Sequence, residues 1–316
     1  LDTSKYRAAM DSALSYANAF ADRTASVGAR VQALGNSMTA IGSRLTLGVT
    51  MPIIGGLTAA TKAASDFESA FAGVRKTVDA SEAQYERLQK SLKEMSTTMP
   101  QSASALAGVM EVAGQLGVST DNLEKFTKTM AMLGDATNLT SEEAASMLAQ
   151  YANVTGLDLN EIDRLGATVV ALGNNCATTE RDIVEMAQRI SGTASIVGLT
   201  DAQVMGMSAT LSALGINAEA GGSAVSRTFA KMQQAALSGG AELKTYAATA
   251  GMSEEAFLSA FGKDPLSALD AFARGLGAVN ENGGDVYAIL SDLGLGDVRI
   301  TDTLLRCLKL LYRLIP

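Results

Sequence analysis

One short pattern recurs along this chain: a glycine, then an apolar residue, then a polar residue of the kind that starts helices. It occurs at Gly117-Val118-Ser119, Gly156-Leu157-Asp158, Gly198-Leu199-Thr200, Gly215-Ile216-Asn217, Gly251-Met252-Ser253 and, in weaker form, Gly294-Leu295-Gly296-Asp297. Glycine takes the left-handed conformation just past a helix, where a side chain would clash. The polar side chain then accepts hydrogen bonds from the free N–H groups of the next helix. The pattern therefore predicts many helices joined by tight turns.

The composition favours an all-α fold. Hydrophobic residues make up 47% of the 316 residues, which is enough for a sizeable core, and only four prolines interrupt the chain. Alanine is frequent, and alanine is the best helix former because it loses no side-chain freedom. We therefore predict an all-α multi-helix bundle of short glycine-capped helices with a long N-terminal coiled-coil-like helix.

Charge and residue types exclude several functions. The formal net charge is −8 and no basic stripe is present, so we expect no specific nucleic-acid binding. The chain has no histidine, which removes Ser-His-Asp chemistry and histidine-containing zinc sites. The two cysteines, Cys176 and Cys307, are far apart and indicate a reduced compartment. We predict no catalytic residue, no cofactor and no metal site, and we expect that the chain is not an enzyme.

The first fifty residues predict one long amphipathic helix. Its apolar seam follows a 4-3-4-3 spacing at Phe20, Thr24, Val27, Val31, Leu34, Met38, Ile41 and Leu45. A heptad seam needs another helix to cover it. Gly28, Gly35 and Gly42 recur beside the seam and allow a partner backbone to approach closely. Two interpretations stay open: a coiled coil with a partner, and a shorter helix packed on its own domain.

We expect four segments: the long helix at 1–50, a helical hairpin at 51–100 that links to the core, a compact helical core at 101–300, and an apolar C-terminal helix at 301–316. Pro52 fits the first turn of a helix that runs from 53 to 78, which Thr50 could cap. Ser81 and Gln84 have the capping-box spacing for the next helix, which ends near 98. Further helices are predicted at 102–116, 119–133, 141–154, 159–173, 179–196, 200–214, 217–238, 241–250, 253–262, 265–280, 284–293 and 300–313.

One internal repeat is visible. Gly117 and Gly134 lie 17 residues apart, and so do Gly198 and Gly215. Leu123 corresponds to Val204, and Met130 to Leu211. The repeat predicts two copies of one helix that is closed at both ends by glycine. Two copies are fewer than a solenoid needs, so a duplicated helical hairpin is the better interpretation.

Several side-chain groups invite a chemical interpretation, and each has a structural one that we prefer. Acidic residues at Glu142-Glu143, Glu254-Glu255 and Asp201 follow helix caps, where carboxylates complement the helix dipole. Asp158, Asn160, Glu161 and Asp163 resemble a calcium loop but lack its glycine. Gly221-Gly222 and Gly239-Gly240 lack the lysine and strand of a phosphate loop and predict hinges or tight junctions. The fourteen methionines are typical of core filling.

The last segment, Thr301–Pro316, turns strongly apolar and cationic. Leu304, Leu305, Leu308, Leu311, Tyr312 and Ile315 form a broad face, with Arg306, Lys309 and Arg313 between them. Such a helix can lie on a membrane surface or belong to a core, and we prefer the core. Because the chain also starts at Leu1 rather than Met, we expect a fragment of a longer protein.

Longer stretches of the sequence resemble a known family, the phage tail tape measure proteins. The stretches are 45–53, 63–71, 109–117, 171–174, 194–199, 211–216 and 291–299. They begin with Leu45-Thr46-Leu47-Gly48-Val49-Thr50-Met51-Pro52-Ile53 and include Val109-Met110-Glu111-Val112-Ala113-Gly114-Gln115-Leu116-Gly117. The ordered series covers about residues 40–300, and it is more specific than any single stretch.

The resemblance implies a structural protein of a phage or prophage tail. It implies that the protein sets tail length, scaffolds assembly of the tail tube and assists genome ejection. The implied location is the lumen of the virion tail, and the host cytoplasm during assembly. The implied partners are copies of itself, tail tube protein, tail-tip or baseplate proteins and tail assembly chaperones, with host membrane contact as a further option. The competing class is a bacterial helical envelope-interacting or pore-forming protein, and a wall-cleaving enzyme ranks third.

Overall fold

The structure is a computed structural model that describes residues 53–313, with side chains described for residues 62–306. Within that range the chain forms fourteen α-helices and one 3-10 helix, and no strand. The predicted all-α class is confirmed for this part of the chain. The predicted helix at 1–50 and the Thr50 cap lie outside the described residues.

Backbone packing divides the described chain into two compact units, residues 53–170 and residues 171–313. The division falls inside the range 101–300 that the sequence predicts as one core. The segment limits at 50, 100 and 300 stay predictions.

The first unit is built around one short helix. Its elements are α1 (Ile53–Thr77), α2 (Glu82–Thr98), α3 (Ala103–Gln115), α4 (Leu123–Ala136), α5 (Ser141–Thr155), a 3-10 helix (Leu159–Glu161) and the first part of α6 (Ile162–Asn175). α3 packs along α1 and also contacts α2, α4 and α5. Leu106 and Met110 on α3 are fully buried, as are Phe126 on α4 and Leu148 on α5. The apolar residues of α3 therefore lie at the centre of this unit.

The second unit has two clusters of helices. It continues with α7 (Glu180–Val197), α8 (Asp201–Ala213), α9 (Ala218–Ser238), α10 (Gly240–Thr249), α11 (Glu254–Lys263), α12 (Pro265–Glu281), α13 (Val286–Asp292) and α14 (Val298–Arg313). α7 packs against α8 and α9, whereas α10, α11 and α12 pack against one another. The second cluster is aromatic, because Tyr246 stacks on Phe257 and meets the Phe272 ring edge-on. α14 contacts α9 and α12 and so joins the two clusters.

Local sequence chemistry explains most helix starts. Ser81 and Gln84 form the predicted capping box of α2. Thr200 and Gln203 form another at α8. The side chains of Thr140, Thr179, Asn217 and Ser253 accept the N–H of the residue three positions later. Gly156 and Gly198 end their helices in the left-handed region, with φ of 74° and 81°.

Two local predictions are wrong, and a third needs a change of helix type. Ser119 does not start a helix, because the Asn122 N–H donates to the Ser119 carbonyl in a separate turn and α4 begins at Leu123. Gly134 does not close that helix, since α4 continues to Ala136. A Cβ at Gly134 would lie 2.8 Å from the Ser141 backbone nitrogen, so this glycine permits a close approach of α5. Asp158 caps a helical turn at the predicted position, but this turn is the 3-10 helix Leu159–Glu161, and α6 follows it directly at Ile162.

Candidate functional site

The acidic residues that follow helix caps serve the helices themselves. Glu143 accepts the Thr140 N–H through its side chain at 2.8 Å and completes a capping box. Glu255 lies in the first turn of α11, where its own backbone N–H and the Ser253 hydroxyl lower the pKa of its carboxyl. Asp201 is the first residue of α8. These positions fit the helix-dipole interpretation of the acidic residues.

The calcium-like segment is organised by protein groups. The Asp158 carboxylate accepts the Asn160 N–H at 2.9 Å. Asp163 pairs with the Lys125 ammonium at 2.9 Å, and Glu161 pairs with Arg164. Each carboxylate thus has a donor, and no group of three potential metal ligands occurs among residues whose side chains are described. Lys125 also donates to the Asn160 carbonyl, which fastens the 3-10 helix to α4.

The paired glycines have different roles. Gly221 and Gly222 lie buried near the start of α9, where a Cβ at Gly221 would come within 2.7 Å of the Ile216 side chain. A Cβ at Gly222 would overlap the Arg189 side chain on α7. This pair is therefore a tight helix contact. Gly239 and Gly240 have φ of 67° and 83° and form the junction between α9 and α10.

Sulfur-containing side chains fill space. Met110, Met130, Met186, Met205 and Met232 are fully buried, as core filling predicts. Cys176 directly follows α6 and is half-buried, and this burial raises the pKa of its thiol. A raised pKa lowers the thiolate fraction and hence the reactivity of the sulfur. The side chain of Cys307 lies outside the described residues.

The terminal apolar helix is partly a core helix. Ile300 and Leu304 are buried, and so are Thr301 and Thr303, where α14 packs on α9 and α12. Among the described residues, none of the helices is both long enough and apolar enough to span a bilayer. The first turns of α14 therefore belong to the second unit.

A polar and aromatic corner joins α1 to α2, and the sequence gives little sign of it. Arg75 donates two hydrogen bonds to Glu82, at 2.8 and 2.9 Å. This pairing raises the pKa of Arg75 and lowers the pKa of Glu82. The guanidinium also lies 4.5 Å from the centre of the Tyr85 ring, and the Tyr85 hydroxyl donates to the Val78 carbonyl at 2.6 Å. The arrangement fixes the turn between the two helices.

A concave feature among the described side chains lies on the surface of α2. A shallow depression on α2 is lined by Glu86, Gln89, Lys90, Lys93, Glu94 and Thr97, all from that one helix. Small-molecule sites instead enclose most of the ligand surface between several elements. This depression therefore has the shape of a solvated helix face.

Exposed apolar side chains are the surface features that sequence analysis missed. Ile196, Leu237 and Val298 are 76%, 79% and 82% exposed, and Tyr287 is also exposed. Each lies within two residues of a helix end. Apolar periodicity is defined by full turns, so it does not assign a face to such terminal positions. Single exposed apolar residues are common, but they also supply contact points for protein partners.

The described residues thus define a helical scaffold whose polar groups serve helix ends and helix contacts. A family model described as phage-related minor tail protein matches residues 89–293. One relative, named "Probable tape measure protein" and found in Halomonas phage phiHAP-1, is 24% identical over 159 residues. That alignment covers 46% of this chain but only 18% of the relative. No solved structure matches the chain.

The family match extends over well more than half of the chain and includes α3 to α13 in full. The chain belongs to the phage-related minor tail protein family.

Proposed function

We propose that this chain is part of a tape measure protein of a phage or prophage tail. In this role it sets tail length, scaffolds assembly of the tail tube and assists genome ejection, without enzymatic activity. The observation that carries the proposal is the agreement between the family match over 89–293 and the relative named as a probable tape measure protein. Because the chain covers only 18% of that relative, the length-setting function belongs to a longer protein.

The described units act as a folded head in this proposal. An α-helix rises 1.5 Å per residue, so a protein that sets tail length through its own extended length needs long continuous helices. The longest described helix, α1, has 25 residues, and within each unit the helices pack against one another. The segments 101–300 and 51–100 then provide docking surfaces, while segment 1–50 starts the rod-like part.

The proposed partners follow from the location. The chain contacts copies of itself, tail tube protein, tail-tip or baseplate proteins and tail assembly chaperones. It occupies the tail lumen in the virion and the host cytoplasm during assembly. The exposed Ile196, Leu237 and Val298 are suitable contact points for such partners because they are apolar and uncovered.

A pair of substitutions in the encoding phage tests the tail role. Phe126 is fully buried in the first unit, so Phe126→Asp places a charge in the core and unfolds the unit. We expect particles without tails, or with tails of variable length, in negative-stain electron micrographs. Lys128→Asp places the same residue at an exposed position two residues later and should leave tails normal. Normal tails from Phe126→Asp, with the variant chain absent from purified particles, would refute the tail role.

The alternative is a helical envelope-interacting protein, and α14 is the observation that favours it. Its cationic and apolar composition suits a membrane surface. The burial of Ile300 and Leu304 in the second unit favours the tail role instead. Liposome flotation separates the two: binding that disappears when Thr301–Pro316 is removed would support the envelope role.

A further inference from the structure

Two separate hydrophobic cores lie within the second unit. One core belongs to α7, α8 and α9, where Met186 and Phe229 are fully buried. The other core belongs to α10, α11 and α12, where the buried rings of Tyr246, Phe257 and Phe272 pack on one another. We call α7–α9 the first cluster and α10–α13 the second cluster, since α13 contacts α12. A group of helices that has its own core can move as one body.

The chain passes from the first cluster to the second through two glycines. α9 ends at Ser238 and α10 begins at Gly240, with Gly239 between them. Gly239 has φ of 67° and ψ of −153°, a conformation that is essentially confined to glycine, and Gly240 has φ of 83°. A Cβ at either glycine would meet no described atom within 4 Å, so the surroundings leave room for these dihedral angles to change. Because glycine adopts positive and negative φ with similar ease, this junction can serve as a hinge.

α14 is the main packing bridge between the two clusters. It follows α13 through the short connection 293–297, and it packs on both α9 and α12. Ile300 and Leu304 on α14 are buried. Beside them, the Arg299 guanidinium lies 3.7 Å from the Glu219 carboxylate on α9, and both of these side chains are exposed. The covalent chain therefore joins α14 to the second cluster, whereas side-chain packing joins it to the first.

One side chain ties a helix cap of the first cluster to a helix cap of the second. The Gln203 amide donates to Asp264 Oδ1 at 2.9 Å, and the Gln203 Oε1 accepts the Thr200 N–H at 2.9 Å in the capping box of α8. Asp264 in turn caps α12, because its carboxylate accepts the Ser267 N–H at 3.3 Å. The backbone N–H groups of both caps keep their acceptors when the bond between Gln203 and Asp264 is broken. This bond therefore connects the clusters without supporting either of them.

We propose that the second unit opens and closes as a body of two parts. The second cluster turns about the hinge Gly239–Gly240, α14 is the strap that holds it against α9, and the bond between Gln203 and Asp264 is the latch of the closed form. Opening separates α14 from α9 and uncovers apolar surface at Ile300, while the core of each cluster stays intact. The motion follows from contacts within the second unit and does not depend on the tail role.

Gln203→Glu breaks the latch and keeps the cap. One carboxylate oxygen can still accept the Thr200 N–H, as Glu143 does for Thr140 in the capping box of α5. The other oxygen faces the Asp264 carboxylate, and like charges at this distance repel one another. We expect the ratio of open to closed molecules to rise about tenfold. Adding Asp264→Asn should return the ratio to that of the parent, because asparagine offers the new carboxylate an amide donor and remains a good cap residue.

Distances between spin labels in the full chain, measured by double electron–electron resonance, report the opening. The two native cysteines are first replaced by serine. Ser195→Cys on α7 and Ser259→Cys on α11 then place labels at exposed positions of the two clusters. Two pairs within a cluster are the controls: Ser195→Cys with Ser223→Cys on α9, and Ser259→Cys with Asn280→Cys on α12. Opening adds a second distance to the pair across the clusters, whereas both pairs within a cluster should keep one distance.

Two further variants separate the latch from general effects of charge. Gln84→Glu makes the same exchange in the capping box of α2 and should leave the distance across the clusters unchanged. Arg299→Glu repels Glu219 at an exposed position and should raise the open fraction about twofold, by loosening the strap. Circular dichroism that matches the cysteine-free parent shows that each variant folds. An unchanged distance across the clusters in Gln203→Glu would overturn the proposal. A changed distance within either cluster would also overturn it, because it would indicate local unfolding and not a turn about the hinge.

Discussion

The two copies of the internal repeat begin alike and then differ. Gly117 and Gly198 have nearly the same φ, 82° and 81°, and each follows the last turn of a helix. After Gly198, Thr200 caps α8 immediately. After Gly117, Ser119 begins a separate turn, and α4 starts four residues later at Leu123.

The residue three positions after the cap differs between the two copies. Gln203 reaches back to accept the Thr200 N–H at 2.9 Å, so both halves of the capping box form. The equivalent residue in the first copy is Asn122, whose side chain is one methylene shorter. Its amide instead donates to the Ser119 hydroxyl at 3.1 Å. In these two turns the cap with a reciprocal partner of the right length starts its helix directly, although Asn217 and Ser253 also start helices with an alanine at the partner position.

The largest expected effect concerns the buried apolar residues that the two copies of the repeat share. Met130 and Leu211 occupy corresponding positions and are both buried. We expect Met130→Ala and Leu211→Ala each to lower the free energy of unfolding by about 2–5 kcal/mol, through lost burial and a residual cavity. Urea denaturation followed by circular dichroism measures the loss, and hydrogen exchange assigns it to a unit. A loss of stability at only one of the two positions would show that the two copies of the repeat are not structurally equivalent.

Substitution of the two turn glycines, Gly117 and Gly198, should give the second largest effect. The loss of stability should be the same at both positions. A Cβ at Gly117 or Gly198 meets no atom within 4 Å, so only the left-handed backbone opposes a side chain. We expect Gly117→Ala and Gly198→Ala each to cost about 1–2 kcal/mol in the same denaturation experiment. Unequal losses would mean that one turn relaxes to a different backbone conformation.

The caps should separate the two copies. Thr200 accepts the Gln203 N–H at 3.3 Å, whereas Ser119 accepts no backbone N–H of α4. We expect Thr200→Ala to cost about 1 kcal/mol. Ser119→Ala should stay within about 0.5 kcal/mol of the parent, because it removes only an exposed side-chain hydrogen bond. Similar losses from both alanine variants would contradict the structural difference between the turns.

These contrasts show how far local sequence determines the fold. The helix starts at α2, α7, α9 and α11 could be predicted because cap and first turn are adjacent in sequence. Gly134 could not be interpreted in this way. Its role depends on the approach of Ser141, which begins the next helix. A glycine that ends a helix and a glycine that permits close packing have the same sequence pattern.

The functional surface was less predictable than the fold. The helix-end roles of Glu143 and Glu255 follow from nearby residues. In contrast, the Gln203 amide also donates to Asp264 at 2.9 Å, a residue 61 positions away that caps α12. The exposure of Ile196 and Leu237 likewise depends on which helices pack around them. Such features require the tertiary arrangement, which no local pattern contains.

The smallest expected effect comes from replacing Asn122 by glutamine and Gln203 by asparagine, so that each copy carries the residue of the other. Asn122→Gln gives the first copy a side chain that can reach the Ser119 N–H, and we expect a gain of about 0.5 kcal/mol with slower hydrogen exchange before Leu123. Gln203→Asn should lose a similar amount at α8, because the shorter amide cannot hold the Thr200 N–H. Gln84→Asn at the Ser81 capping box of α2 is the matched control, since that box has no link comparable to Asp264. If Asn122→Gln leaves hydrogen exchange at residues 119–122 unchanged, another contact fixes the turn. One such contact is the hydrogen bond that the Thr120 hydroxyl donates to the Asp79 carbonyl at 3.1 Å.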